Sequence, residues 1–181
     1  MRTPPLILIV DDNPANVEIL QMRLAANNYE IITAADGEEG LAAARDAQPD
    51  LILLDIMMPK MDGIEVCRHI RADASLPFIP IIMVTAKADS KDVVAGLEAG
   101  GDEYLTKPVD HAALVARVKS MLRIKELHDR VLEQSASLKP SLKRPPRSNP
   151  CSGPKSRSWK PEAIFGPNLL RPPMSAAICM M

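Results

Sequence analysis

The chain lacks a cysteine framework: Cys67, Cys151 and Cys179 stand alone, and none forms a CxxC pair. That excludes a disulfide-stapled fold and a thiolate metal centre, and it fits free thiols in a reducing compartment. Net charge is nearly absent too, with a formal value of -1 and a sequence pI near 6.3, so there is no basic field of the kind nucleic acid attracts. No apolar run approaches the ~18 residues of a membrane span. The amino terminus, Met1-Arg2-Thr3-Pro4-Pro5, enters a short apolar run without the longer core and cleavage site of a signal peptide. No internal repeat is visible. A cytoplasmic protein with neither a membrane nor a nucleic-acid partner is expected. Its 181 residues are enough for one well-cored domain with chain to spare.

What is present is an alternation. Leu6 to Val10 is a continuous apolar run ending in Asp11-Asp12, followed by Asn13-Pro14, a cap and a first-turn proline for a helix carrying Val17, Leu20 and Leu24. A second strand is expected from about Tyr29 to Ala34. Asp36 and Glu39 then have capping-box spacing ahead of an alanine-rich helix. Leu51-Ile52-Leu53-Leu54 reads as a strand buried on both faces and ends in Asp55. Asp62 and Glu65 cap a third helix with Ile64, Cys67 and Ile70 on one face. A fourth strand spans 79–85, with Pro80 near its start and Thr85 at its end. Asp89 or Ser90 caps the next helix, which stops at Gly100-Gly101. A fifth strand, Glu103–Thr106, runs into Lys107-Pro108, and Asp110 caps a long helix that reaches about Leu138. Five strands alternating with five helices predict a doubly wound parallel sheet covered on both sides.

Asp11, Asp12, Asp55, Thr85 and Lys107 all fall at the carboxyl ends of these strands, the edge where open α/β sheets bind ligands. Asp55 taken alone is equally compatible with a simple turn. Three carboxylates brought together repel one another and need a proton or a cation between them. An all-oxygen set selects a hard ion, and magnesium, which keeps waters and takes few carboxylates, suits it better than calcium. Acids, a metal, a lysine and a hydroxyl together make a site for a phosphoryl group, with one aspartate available as nucleophile.

Four motifs in order, Ile9-Val10-Asp11-Asp12, Leu54-Asp55-Ile56-Met57-Met58-Pro59-Lys60-Met61-Asp62-Gly63, Val84-Thr85-Ala86 and Tyr104-Leu105-Thr106-Lys107-Pro108, resemble the response-regulator receiver domain of bacterial two-component signalling. The resemblance implies a flavodoxin-like strand order 2-1-3-4-5 and a phosphoacceptor role for Asp55, supplied by a sensor histidine kinase or a phosphotransfer protein. It implies magnesium held by Asp12, Asp55 and the Met57 backbone carbonyl, with Asp11 acting mainly through water. Thr85 and Lys107 would bind phosphoryl oxygens, Pro108 would follow a cis peptide, and Tyr104 would be a switch aromatic; a half-buried strand tyrosine is the plainer alternative. Met57 and Lys87 stand where faster-dephosphorylating relatives can carry polar or acidic groups, which implies a long-lived phosphorylated state unless both are merely tolerated loop residues. An aspartyl phosphatase would resemble a pattern with a second aspartate at position 57, where this chain has methionine. The protein is therefore expected not to be an enzyme beyond its own phosphorylation.

The expected organisation is a receiver at 5–123, a helical extension or short coiled coil at 124–139 and a Pro-rich disordered tail at 140–181. Nine of the 17 prolines lie in that tail. Ile124, Leu127, Val131 and Leu138 keep near-heptad spacing that Gln134 interrupts. A homodimer through this extension and the face of the fourth helix, fifth strand and fifth helix is one reading, and a solvated single helix is another. The pattern is also similar to receivers placed ahead of nucleotide or diguanylate cyclase domains, so a truncated regulatory piece with a remnant tail is an alternative, as is a phosphorylation-independent docking module. The loop methionines Met57, Met58 and Met61 are read as packing, since thioethers do not suit a hard ion. His69, His111 and His128 are read as solvated helix positions, and the basic run 139–147 as solvated tail.

Overall fold

A computed structural model of the chain describes residues 2–86 and 90–137. Lys87, Asp89, Leu138, the basic run, the tail at 140–181 and its Cys151 and Cys179 lie outside the described residues. Five strands, β1 (Leu6–Val10), β2 (Glu30–Ala34), β3 (Leu51–Asp55), β4 (Ile81–Thr85) and β5 (Glu103–Thr106), alternate with α1 (Pro14–Ala25), α2 (Gly37–Ala47), α3 (Gly63–Ala72), α4 (Ser90–Glu98) and α5 (His111–Ser137). All pairings are parallel and the sheet order is β2-β1-β3-β4-β5. This is the doubly wound parallel sheet expected from the alternation, in the flavodoxin-like order that the family resemblance implies.

The pleat divides the core in two. Leu8, Val10, Ile52, Leu54, Ile81 and Met83 face α2 and α3, where Leu41, Val66, Cys67 and Ile70 are buried. Ile7, Ile9, Leu51, Leu53, Ile82 and Val84 face α1 and α5, meeting Leu20, Leu24, Leu114 and Val118. Period-2 alternation in strands and helical spacing in the covering helices thus fill both faces with the same short apolar runs. The caps form as their spacing predicts. Glu39 and Glu65 backbone amides donate to Asp36 and Asp62 side chains at 2.9 and 2.7 Å, and Ala113 donates to Asp110 at 2.8 Å.

Two boundaries differ from expectation. β4 begins at Ile81 rather than 79, because Pro80 has no N–H to give a ladder and sits just outside it. β2 begins at Glu30, one residue after Tyr29. At the opposite edge from the acidic motifs, buried Asp50 accepts from the Leu6 amide at 3.0 Å, and its own amide donates to the Leu6 carbonyl at 2.7 Å. This two-way link sets where β1 starts beside β3. Asp50→Ala leaves the Leu6 N–H without its partner in a buried setting and should cost about 1–3 kcal/mol, measured as the loss of unfolding free energy in urea.

Candidate functional site: an acidic pocket at the carboxyl edge

Asp11 and Asp55 continue the strand parity of Ile9 and Leu53, so the pleat that buries those residues turns both carboxylates to the same side. Asp11 is 2% and Asp55 4% exposed. Asp12, next in the chain, is exposed. Carboxylate oxygens of Asp11, Asp12 and Asp55 all lie within 4.8 Å of one another. From the end of β5, the Lys107 ammonium donates to Asp11 Oδ2 and to Asp55 Oδ2, at 2.7 Å each. The Lys107–Pro108 peptide is cis.

The remaining sequence candidates lie at the end of β4, in the loop after β3 and on β5. Thr85 is buried at the end of β4, one position beyond Val84, the register partner of Asp55. Met57 follows the pocket with its side chain largely exposed, and its backbone amide reaches Asp55 Oδ1 at 3.3 Å. Tyr104 sits on the edge strand, 37% exposed, beneath the Arg117 guanidinium at 5.9 Å from the ring centroid. Its ring is therefore turned outward here.

Three supports were not anticipated from the sequence. Asn16, on the first turn of α1, donates its side-chain amide to both Asp11 oxygens at 3.1 and 3.3 Å, and the Asn13 amide adds a third bond at 2.9 Å. Asp11 is thus largely occupied by protein donors, whereas Asp12 is open. Gly63 lets α3 start against β3: a Cβ there would fall 2.1 Å from the Asp55 carbonyl oxygen. Lys60, at φ 67°, bridges to Asp36 at 2.7 Å and ties the loop after Asp55 to the start of α2. An amide-bearing residue one turn into α1 and the Asp-Gly at a helix start were the available signals.

Burial raises the Asp55 pKa above its ordinary value; the hydrogen bond and charge of Lys107 pull the other way, and the Asp11 charge adds to the rise. For Lys107 burial also works against the charged form, but its bonds to Asp11 and Asp55 outweigh it, so its pKa is raised and the ammonium persists. The two shifts differ in their leading balance: desolvation wins at the more deeply buried carboxylate, and pairing wins at the lysine. A compact all-oxygen set with one fixed cation for three carboxylates retains a negative excess, and its chemistry fits a hard divalent ion such as magnesium.

A parallel α/β domain with an acidic pocket at its carboxyl edge is the class of protein this geometry defines. The response regulator receiver domain model matches residues 7–119, and the chain belongs to that family. It is 46% identical over 131 residues to the response regulator PleD of Caulobacter vibrioides, covering 72% of this chain and 29% of PleD. It is 49% identical over 121 residues to the alkaline phosphatase synthesis transcriptional regulatory protein PhoP of Bacillus subtilis, covering 67% of this chain and 50% of PhoP. The chain therefore spans half or less of the length of these relatives. Among solved structures, a CheY-like response regulator receiver domain protein from Methanospirillum hungatei matches with TM-score 0.63 and 35% identity, over 68% of this chain and 98% of that one. The CheX-CheY-BeF3-Mg+2 complex from Borrelia burgdorferi matches with TM-score 0.61 and 35% identity, over 65% and 88% of the two chains. No helix among the described residues is long and apolar enough to cross a membrane.

The raised Asp55 pKa has a definite sign for stability. Above the folded-state pKa the folded protein carries an ionised, desolvated Asp55, so folding loses stability as pH rises from the ordinary carboxylate range through that pKa. Asp55→Asn should be more stable than the wild type at pH 7 in metal-free buffer. The advantage should shrink as pH falls toward 3.8, the unperturbed value. Thermal melts of both proteins across pH in the presence of a chelator measure it.

Proposed function

We propose that this chain is a phosphorylation-switched signalling module in which Asp55 accepts a phosphoryl group from the phosphohistidine of a sensor histidine kinase or phosphotransfer protein. The observation that carries the reading is the sharing of one ammonium, Lys107, between Asp11 and Asp55 beside the open carboxylate of Asp12. An Asp55 oxygen forms a bond to phosphorus as the P–N bond to the donor imidazole breaks, and the imidazole leaves with the electron pair. Lys107, kept protonated by its pocket, donates to a phosphoryl oxygen, and Thr85 offers its hydroxyl to another. Asp12, Asp55 and the Met57 carbonyl would hold magnesium, with Asp11 contributing through water because Asn13 and Asn16 already occupy it. Magnesium bound there would supply positive charge to the phosphoryl oxygens. A similar solved receiver is described with BeF3 and Mg+2, which supports the same pairing of ligands here.

Exposed Ile19 of α1 lines a cavity of about 140 Å³ together with Leu20, Arg23, Lys107 and Pro108, and it offers a phosphodonor an apolar seat beside Lys107. For output, Tyr104 is read as the switch aromatic that moves inward as Thr85 engages phosphate. Exposed Val94 and Leu97 of α4, with Tyr104, Ile124, Leu127 and Val131, favour a homodimer through the α4–β5–α5 face and the extension. Residues 5–123, 124–139 and 140–181 are taken as receiver, extension and tail, and a cytoplasmic location fits the role. Tyr104 and the apolar face are also what a phosphorylation-independent docking module, or the regulatory piece of a cyclase-type enzyme, would show.

Acetyl phosphate with magnesium should add one phosphoryl group to the wild type and none to Asp55→Asn, read by intact mass. Light scattering on the same samples should show self-association following the modification. No modification under any condition would favour the docking module. The exposed Met57 side chain cannot orient a water, so the phosphoprotein should outlast a Met57→Glu variant by about a hundredfold, the low end of what a positioned acid or base contributes. Equal decay of the two purified phosphoproteins would assign Met57 no such role.

A further inference from the structure

The face of α5 that packs on the domain does not end where the sheet does. Leu114, Val118, Met121 and Leu122 are buried, and the same spacing continues to Lys125, which is only 5% exposed although it is a lysine on a charged stretch. Its ammonium donates to the Phe78 carbonyl at 2.9 Å and lies 3.4 Å from Asp129, one turn on. His128 is exposed, as expected of a solvated helix position, and one side of its ring also meets Phe78, with centroids 4.6 Å apart at a 39° tilt.

Phe78 is met by a second element as well. Arg71, near the end of α3, places its guanidinium 5.7 Å from the Phe78 centroid and donates to the carbonyls of Ile79 and Gly100 at 2.8 Å and to Asp102 at 2.7 Å. Asp102 in turn accepts from the Ile81 amide at 2.8 Å. Two successive carbonyls, of Phe78 and Ile79, thus receive cationic donors from α5 and α3, helices that cover opposite faces of the sheet. The segment presenting them is stiff by composition. Pro77 and Pro80 fix their own φ and confine Leu76 and Ile79 to extended backbone.

We propose that the loop before β4 is a joint that fixes the direction and rotation at which α5 leaves the receiver, with Phe78 in contact with both Arg71 and the Lys125–His128 turn. At ~100° per residue, the stripe of Ile124, Leu127 and Val131 lies roughly a third of a turn round the helix from Lys125. Holding Lys125 and His128 on Phe78 therefore decides which way that exposed apolar stripe points. The joint also links α5 to Gly100 and Asp102, just beyond α4, through a single arginine. It ties the extension to the body without using any group of the acidic pocket, so it stands or falls separately from the phosphoacceptor reading.

Hydrogen exchange on the full, unphosphorylated chain tests it. Phe78→Ala and Lys125→Met should each speed exchange of the amides at 126–132 by at least tenfold, with β1 and β3 amides unchanged. Wild-type exchange at 126–132 in both variants, with the sheet intact, would overturn the joint. Should either variant also loosen the sheet, Phe78→Leu decides, since it keeps apolar volume in the loop but removes the ring face. Tenfold faster exchange confined to 126–132 supports the joint, and unchanged exchange there refutes it.

Discussion

Two nearly buried carboxylates share one lysine, and the architecture of the domain follows from keeping them so. In the interior, like charges a few ångströms apart repel far more strongly than in water, and an unpaired ion is costly to desolvate. Lys107 offsets part of that repulsion. Asn13 and Asn16 offset another part by donating to Asp11. What remains is a negative excess gathered at the carboxyl edge, and its all-oxygen chemistry fits a hard cation.

Such an arrangement survives only on a rigid support. β1 and β3 are buried along their whole length, with apolar residues alternating onto two separate cores, so neither strand can slip by a residue without exposing one core and charging the other. Asp50 fixes the register from the far end, and Gly63 allows α3 to press directly on the backbone that carries Asp55. The groups at both ends of β3 are therefore parts of a single positioning device.

The fold and the acidic pocket were legible because each strand is a short apolar run that stops at a polar residue, and a parallel sheet collects such stops on one edge. Asp11, Asp12, Asp55 and Lys107 meet for that reason alone. The features that escaped notice depend on partners distant in sequence. Asp50 carries no signal of its own in the sequence, and its value lies in the Leu6 amide 44 positions away. Asn16 was hidden among polar positions of an amphipathic helix. Lys125 has the look of a solvent-facing helix residue, and only the placement of Phe78, 47 positions before it, reveals otherwise. Pro80 signalled the start of β4 but could not say on which side of it the ladder begins.

Lys107 reaches Asp11 across 96 positions of sequence and Asp55 across 52. A chain emerging from the ribosome acquires its first and third strands well before the fifth, and until then it displays clustered acids without the ammonium that organises them. The pairing that organises the pocket is thus withheld until the last strand is in place. An incompletely made or partly unfolded copy carries every acidic residue of the pocket and still lacks the one ammonium that Asp11 and Asp55 share.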